Sequence, residues 1–195
     1  MNMPLPLAVG LWVALGLAIL LVMWRGWRSA RARGATVVGA LPEVPGAETL
    51  GAARTEPMVG TYVSSTTAGD WLGRVVARDL GVRSTATVQV FDAGVRIERR
   101  GATDVFVPAA SLLGVRRTPG MAGKYVGGDG IVVLEWSATA PDGTPAPLDT
   151  GIRTQHKADR ATLVDAVDSL VARAASSSPG APASPDTQND PKEPQ

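Results

Sequence analysis

The chain has 195 residues, 45% of them hydrophobic and 19% charged, which suits one ordinary domain with appendages. It has no cysteine and one histidine, which excludes disulfide frameworks, cysteine nucleophiles and metal centres built on Cys or His ligands. A formal net charge of +1 gives no excess positive field for gripping nucleic acid. Neither a nucleic-acid partner nor a cofactor is therefore expected.

The N-terminal segment is strongly apolar. The run from Leu5 to Trp24 is twenty residues long and carries no charged side chain, and a helix of about that length spans a bilayer core of roughly 30 Å. We predict a transmembrane anchor within residues 1–33. A cleaved export signal is the alternative, but such a signal has a basic start and a small-residue cleavage site, and no Lys or Arg precedes this run.

A basic and aromatic flank follows the apolar run and sets its orientation. Positively charged flanks stay on the cytoplasmic side, and indole rings prefer the headgroup level. We therefore expect residence in the cytoplasmic (inner) membrane as a single-pass protein, with the N-terminus outside and the remaining chain in the cytoplasm. The residues predicted to meet the lipid interface are Trp24, Arg25, Trp27, Arg28, Arg31 and Arg33.

Composition divides the rest of the chain into three parts. Residues 34–56 contain two prolines and several glycines without a sustained period, which predicts a linker. Residues 176–195 hold five prolines and no large apolar residue, so we expect a disordered tail. The core must then lie in residues 57–175, where thirteen basic residues face twelve acidic ones.

Alternating and helical hydrophobic periods predict the elements of this core. Asp70 is expected to cap a short helix that ends at Gly81, and Asp159 to cap a final amphipathic helix whose stripe includes Leu163, Val167 and Leu170. Seven strands are predicted, at residues 58–65, 85–91, 95–99, 105–107, 112–118, 131–136 and 148–155.

Several segments of the chain resemble a known family. They are GDWLGRVVARDLGVRS from Gly69, FDAGVRIERRG from Phe91, FVPAASLLGVRRTPGMAGKYV from Phe106, IVVLEW from Ile131 and TGIRTQHKADRATLVDAV from Thr150. With the leading helix, they make the chain similar to actinobacterial single-pass membrane proteins with a cytoplasmic PH-like domain, which are sometimes labelled transporters. The resemblance implies an α+β roll of two packed antiparallel sheets with a C-terminal capping helix.

No catalytic constellation emerges from the sequence. The stretch GMAGK at 120–124 lacks the Gly at 118 and the Ser or Thr at 125 that a phosphate-binding loop needs. His156 stands alone, without a GxSxG or HExxH partner motif, and is expected at the surface. Glu135 lies in the most apolar strand, where we expect an arginine partner or a solvent-facing position. No catalytic residue is assigned.

Two functions remain open. The first is a non-enzymatic interaction module at the membrane that binds a protein partner, with Met121, Lys124 and Tyr125 on an exposed loop tip as candidate contacts. The second is an accessory subunit of a transport or export assembly that acts through its anchor helix. The pairs Arg99–Arg100 and Arg116–Arg117 are interpreted as a solvated basic face.

Overall fold

The computed structural model describes residues 10, 12–25, 38–70 and 73–177. Residues 12–25 form helix α1, whose large apolar side chains are exposed. None of the helices in this described part is long and apolar enough to cross a membrane. The prediction of a transmembrane helix therefore gains no support from α1, although the described part of the predicted run is helical. Of the six predicted interface residues, Trp24 and Arg25 are the last described residues of α1, and the other four lie outside the described residues.

The predicted succession of seven strands and one closing helix is confirmed, with two short strands added. The elements are β1 Met58–Thr67, β2 Ser84–Phe91, β3 Gly94–Arg99, β4 Val105–Pro108, β5 Leu112–Thr118, β6 Gly120–Met121, β7 Lys124–Tyr125, β8 Ile131–Thr139, β9 Pro145–Thr154 and α2 Lys157–Ser177.

One antiparallel sheet holds seven of these strands, in the order β4-β3-β2-β1-β9-β8-β5. Strand β1 is shared by the two halves of the sheet, because it pairs with β2 on one edge and β9 on the other. Its register against β9 shifts between Tyr62 and Ser64, and such a bulge bends a strand. Helix α2 packs on the roll and buries Leu163, Val167 and Leu170, as its period predicted.

A chain of buried hydrogen bonds runs through the core. The Trp136 indole N–H donates to Thr150 Oγ1 at 2.9 Å, and that hydroxyl lies 2.7 Å from Ser65 Oγ. Ser65 Oγ is in turn 2.7 Å from the Tyr62 hydroxyl, which donates to Leu80 O at 3.0 Å. Each of these four side chains has a hydrogen-bond partner, so its burial leaves no polar group without a partner. The hydrogen bonds thereby link β8, β9 and β1 to the segment between β1 and β2.

The short helix predicted from Asp70 is wrong. Trp71 and Leu72 lie outside the described residues, and beyond them the segment is irregular except for a single 3₁₀ turn at Ala77–Asp79. Val75 N donates to Ser65 O and Ser65 N donates to Leu80 O. Because β1 satisfies these backbone groups, the segment buries Val75 and Leu80 in an irregular conformation and does not form a regular α-helix.

Most of the predicted linker is packed against the roll. Val38 and Leu50 are buried, and Ala53 forms an isolated bridge with Phe91. Arg54 N donates to Val90 O at 2.8 Å, and Thr55 is buried beside β2. The packed unit therefore includes residues before the predicted boundary at 57, and reaches at least to residue 38, the first residue described after 26–37. Its last described residue is Ser177, and the predicted tail beyond it lies outside the described residues.

The basic pair Arg99–Arg100 is not a uniform solvated face. Arg100 is exposed, whereas Arg99 is only 6% exposed and its guanidinium lies 3.9 Å from the centroid of the Tyr62 ring. Arg99 also donates to Asp79 O at 2.8 Å and to Val82 O at 2.6 Å. The guanidinium occupies the interior because backbone carbonyls and an aromatic face replace its hydration.

Candidate functional site

The hairpin β6–β7 is the most distinctive feature of the outer face of the roll. It belongs to the glycine-dense loop between β5 and β8, and its two-residue turn is Ala122-Gly123, with φ of +53° and +74°. Positive φ at both central residues is the pattern of a type I′ turn, which matches the twist of paired strands. The segment predicted to be an exposed loop tip is thus a regular hairpin.

The hairpin is fixed to the sheet by an apolar anchor, the side chain of Met121. Met121 is only 2% exposed and packs in a small cluster with Val63, Ile131 and Val133. A Cβ added at Gly151 would overlap Met121 Sδ, so the glycine leaves the space that the methionine fills. The prediction of Met121 as an exposed contact is therefore wrong: the turn folds its side chain onto the sheet, where it serves as an anchor.

The tip of the hairpin is held from the other side. Arg74 Nη2 donates to Ala122 O at 2.5 Å, and Arg74 itself forms an isolated bridge with Thr66 at the end of β1. The segment after β1 thereby reaches across the outer face to the hairpin. This connection joins two loops that are far apart in the sequence.

The two other predicted contacts, Lys124 and Tyr125, lie where the sequence placed them, on exposed positions. Tyr125 is 81% exposed, the highest exposure of any large apolar side chain in the described part of the chain. Its side chain lines two recesses of the outer face, one on each side of the hairpin. We call this region, formed by β6–β7 and the two recesses, the hairpin surface.

The first recess, the triad recess, has a volume of about 270 Å³ and contains an ion-pair triad. Arg116 Nε donates to Glu135 Oε1 at 2.6 Å and Arg116 Nη2 donates to Asp149 Oδ2 at 2.8 Å. The expected arginine partner of Glu135 is confirmed. Thr66 also lines this recess, and its buried Oγ1 has no hydrogen-bond partner among the described residues.

The second recess, the basic recess, has a volume of about 290 Å³ and no acidic residue in its lining. Thr61 of β1 and Arg153 of β9 are register partners, which places both on one stretch of the sheet. Arg83 comes from the loop before β2, and Lys124 from the hairpin. The other lining residues are Val63, Tyr125 and Val126.

Sequence reasoning did not bring these cations together. Arg83 and Arg153 lie seventy residues apart in the sequence, one in a loop and the other in a strand. Register between β1 and β9 is what places Thr61 beside Arg153. The alternating pattern of β9 places Arg153 on its outward face, but it does not indicate which residues of other elements lie beside it.

A groove of about 760 Å³ lies on another side of the roll, between the second half of α2 and residues Ala109–Leu113. Its rim carries an ion pair of Arg54 and Asp92, and the hydrogen bond from Arg54 lowers the pKa of Asp92 below its ordinary value of 3.8.

His156 is exposed between β9 and α2. Within the described residues, no three His, Cys, Asp or Glu side chains are grouped as a metal site would require.

The bent seven-stranded antiparallel sheet, its strand order and the closing helix define a PH-like roll. A family model described as "Bacterial PH domain-like" matches residues 38–168, about two thirds of the chain. The chain belongs to this family. The match includes the packed residues 38–56 before β1, and α1 lies outside it. No match was found among curated proteins.

Proposed function

We propose that this chain is a non-enzymatic interaction module that binds a protein partner through the hairpin surface. PH-like folds serve as scaffolds on which binding sites are built, and the fold alone does not determine the ligand. The proposal therefore depends on the surface. It is carried by one observation: Tyr125 is almost fully exposed on a hairpin that Met121 and Arg74 fix to the sheet.

A fixed, exposed aromatic side chain favours binding for two physical reasons. Tyrosine is enriched among the residues that dominate binding energy at protein interfaces, since it has a large apolar ring and a polar tip. A side chain on a preformed hairpin also loses less conformational freedom on binding than one on a mobile loop. Lys124, next to it on β7, adds a charged contact at the rim.

We further propose that the N-terminal segment holds this module on the cytoplasmic face of the cytoplasmic membrane. The proposal is supported by the uncharged run from Leu5 to Trp24 and by the arginines that follow it. The apolar side chains of α1 are exposed, which leaves them available to lipid or to another protein. Arginines beside an anionic bilayer contribute about 1 kcal/mol each to its attraction.

Photocrosslinking from single positions tests the proposal. A photoreactive phenylalanine derivative replaces Tyr125 in the full chain, and a matched variant carries it at Val82, which is exposed but lines neither recess. We expect a discrete adduct with another protein from position 125 and none from position 82. The absence of an adduct at 125, or identical adducts from both positions, would contradict the proposal.

The alternative function, an accessory subunit that acts through its helix, is tested by a third position. Leu17 lies in α1 with its side chain exposed. Protein adducts from Leu17 without any from Tyr125 would favour the alternative. Adducts from Tyr125, with only lipid adducts from Leu17, would favour the interaction module.

A further inference from the structure

We infer that the basic recess binds an acidic segment of the partner protein, with a carboxylate side chain entering between Arg83, Lys124 and Arg153. The inference rests on the proposed function and specifies the chemistry of the partner. The recess brings together three cations from three separate parts of the chain, and its lining contains no acidic residue. No carboxylate in the described part of the chain forms an ion pair with any of the three.

This local charge departs from the composition of the roll. Residues 57–175 carry thirteen basic and twelve acidic side chains, so a recess with three cations and no acid is not the average surface. Three arginines elsewhere on the roll have carboxylate partners: Arg54 pairs with Asp92, Arg96 with Glu98, and Arg116 with two carboxylates. Electrostatic complementarity of this kind contributes to specificity and to the rate of association.

The geometry of the recess suits a carboxylate. Arginine presents a planar fork of donors that matches both oxygens of a carboxylate, whereas lysine acts as a compact point charge. Arg153 stands on the sheet beside Thr61, and Lys124 stands on the fixed hairpin. Tyr125 lines the same recess and offers an apolar face to the residue next to the carboxylate.

Charge around the recess favours a peptide segment over a bilayer surface. Asp129 follows β7 and is exposed, and the triad on the other side of Tyr125 has two carboxylates, Glu135 and Asp149, against the single cation Arg116. A flat anionic membrane would face these acids together with the three cations. A single side chain that enters the basic recess lies against a lining with three cations and no acidic residue.

Binding of a defined acidic peptide tests the inference. The full chain, held in zwitterionic detergent micelles, is titrated into a fluorescein-labelled octaglutamate peptide at physiological salt, and binding is followed by fluorescence anisotropy. The double variant Arg83→Gln, Arg153→Gln should weaken binding at least tenfold. The matched control is Arg100→Gln, Arg117→Gln, which removes the same charge from two exposed arginines outside the recess and should change binding less than twofold.

The outcomes separate the possible ligands. No binding of the peptide, or an equal loss in both double variants, would overturn the inference. The titration is repeated with the full chain in nanodiscs that contain either no anionic lipid or 30% phosphatidylglycerol. We expect less than a twofold difference between them; abolition of peptide binding by the anionic lipid in wild type would instead assign the recess to the membrane.

Failure here is distinguishable from failure of the proposed function. The titration measures the chemistry of the basic recess with a defined peptide, whereas crosslinking from Tyr125 measures whether any protein meets the hairpin surface. Adducts at Tyr125 without octaglutamate binding would leave the interaction module standing and refute the acidic partner. Absence of adducts would refute the module itself.

Discussion

Replacement of Arg99 by methionine would test how the two loops at one end of the roll are held together. The guanidinium donates to Ser84 Oγ, to Thr103 O between β3 and β4, and to Asp79 O and Val82 O between β1 and β2. Methionine keeps most of the aliphatic stem in its buried position and removes all of these donors. The substitution thus isolates the polar contribution of this side chain.

The size of the effect follows from two opposing contributions. A hydrogen bond to a charged group contributes about 1.5–3 kcal/mol, and Arg99 makes four, together with its contact over the Tyr62 ring. Burying the charge opposes folding by several kcal/mol, and this burial also lowers the pKa of Arg99. Asp79, Val82 and Thr103 are exposed residues, so water can bind their carbonyl oxygens after the substitution. We therefore expect the free energy of unfolding to fall by about 3 kcal/mol.

Chemical denaturation of residues 38–177, followed by tryptophan fluorescence, measures this loss, and thermal unfolding should show a fall in Tm of about 10 °C for a unit of this length. Arg100→Met is the matched control, since Arg100 is the exposed neighbour, and it should change stability by less than about 0.5 kcal/mol. If Arg99→Met lowered the free energy of unfolding by less than about 1 kcal/mol, and by no more than Arg100→Met does, the reasoning would be refuted.

Three further perturbations of the core have defined outcomes. Trp136→Ala should cost about 3–5 kcal/mol in denaturant unfolding, because a fully buried ring and its hydrogen bond to Thr150 are lost; a loss below 1 kcal/mol would show that the ring is not packed. Burial raises the pKa of Tyr62 from 10.0 to about 12, so folding stability should be complete below pH 10 and fall by about 3 kcal/mol between pH 10 and 12. Tyr62→Phe should lack this alkaline loss, and equal pH profiles for the two proteins would contradict the argument. Gly94→Ala should cost more than about 3 kcal/mol, since φ is +152° and the new Cβ would overlap Val107 O; an unchanged Tm would refute the tight approach of β3 and β4.

Strand and helix periodicity predicted most of the roll. The outer strands alternate cleanly, as in β2, where Ala86, Val88 and Val90 are buried between more exposed neighbours. Strand β8 is apolar on both faces, and the structure buries both: Val132 and Leu134 face the main core, while Val133 lies under the hairpin. Hydrophobic pattern is a reliable guide wherever burial is decided by one element and its immediate neighbours.

The features that the sequence did not predict depend on distant partners. The segment after Asp70 has a helical period, but its backbone groups bond to β1, and tertiary hydrogen bonds override a local preference. Arg99 is buried because carbonyls from two other loops meet its guanidinium. Met121 is buried because Gly151, thirty residues later, leaves space for it. None of these pairings is encoded in local composition.

The basic recess has the same origin. Its cations belong to a loop, a hairpin and a strand, and only the register of β9 against β1 brings Arg153 beside Thr61. The exposed aromatic contact was different, since Lys124 and Tyr125 sit in a glycine-dense loop that the pattern already marked as outside the core. The sequence predicted the exposure of Lys124 and Tyr125 but not the burial of Met121, and a recess built across three elements requires the fold.

The most direct test of the central claim, that the hairpin surface is covered by a partner in the cell, uses the two tyrosines of the chain. Tyr125 is 81% exposed and Tyr62 is fully buried, so tyrosine nitration of the purified chain should modify the first and spare the second. The same reaction is carried out on native membranes that contain the full chain, with and without a wash in 1 M salt. The account predicts that Tyr125 is protected in unwashed membranes and becomes reactive after the wash, while Tyr62 stays unmodified throughout. Equal modification of Tyr125 in purified protein and in unwashed membranes would contradict it.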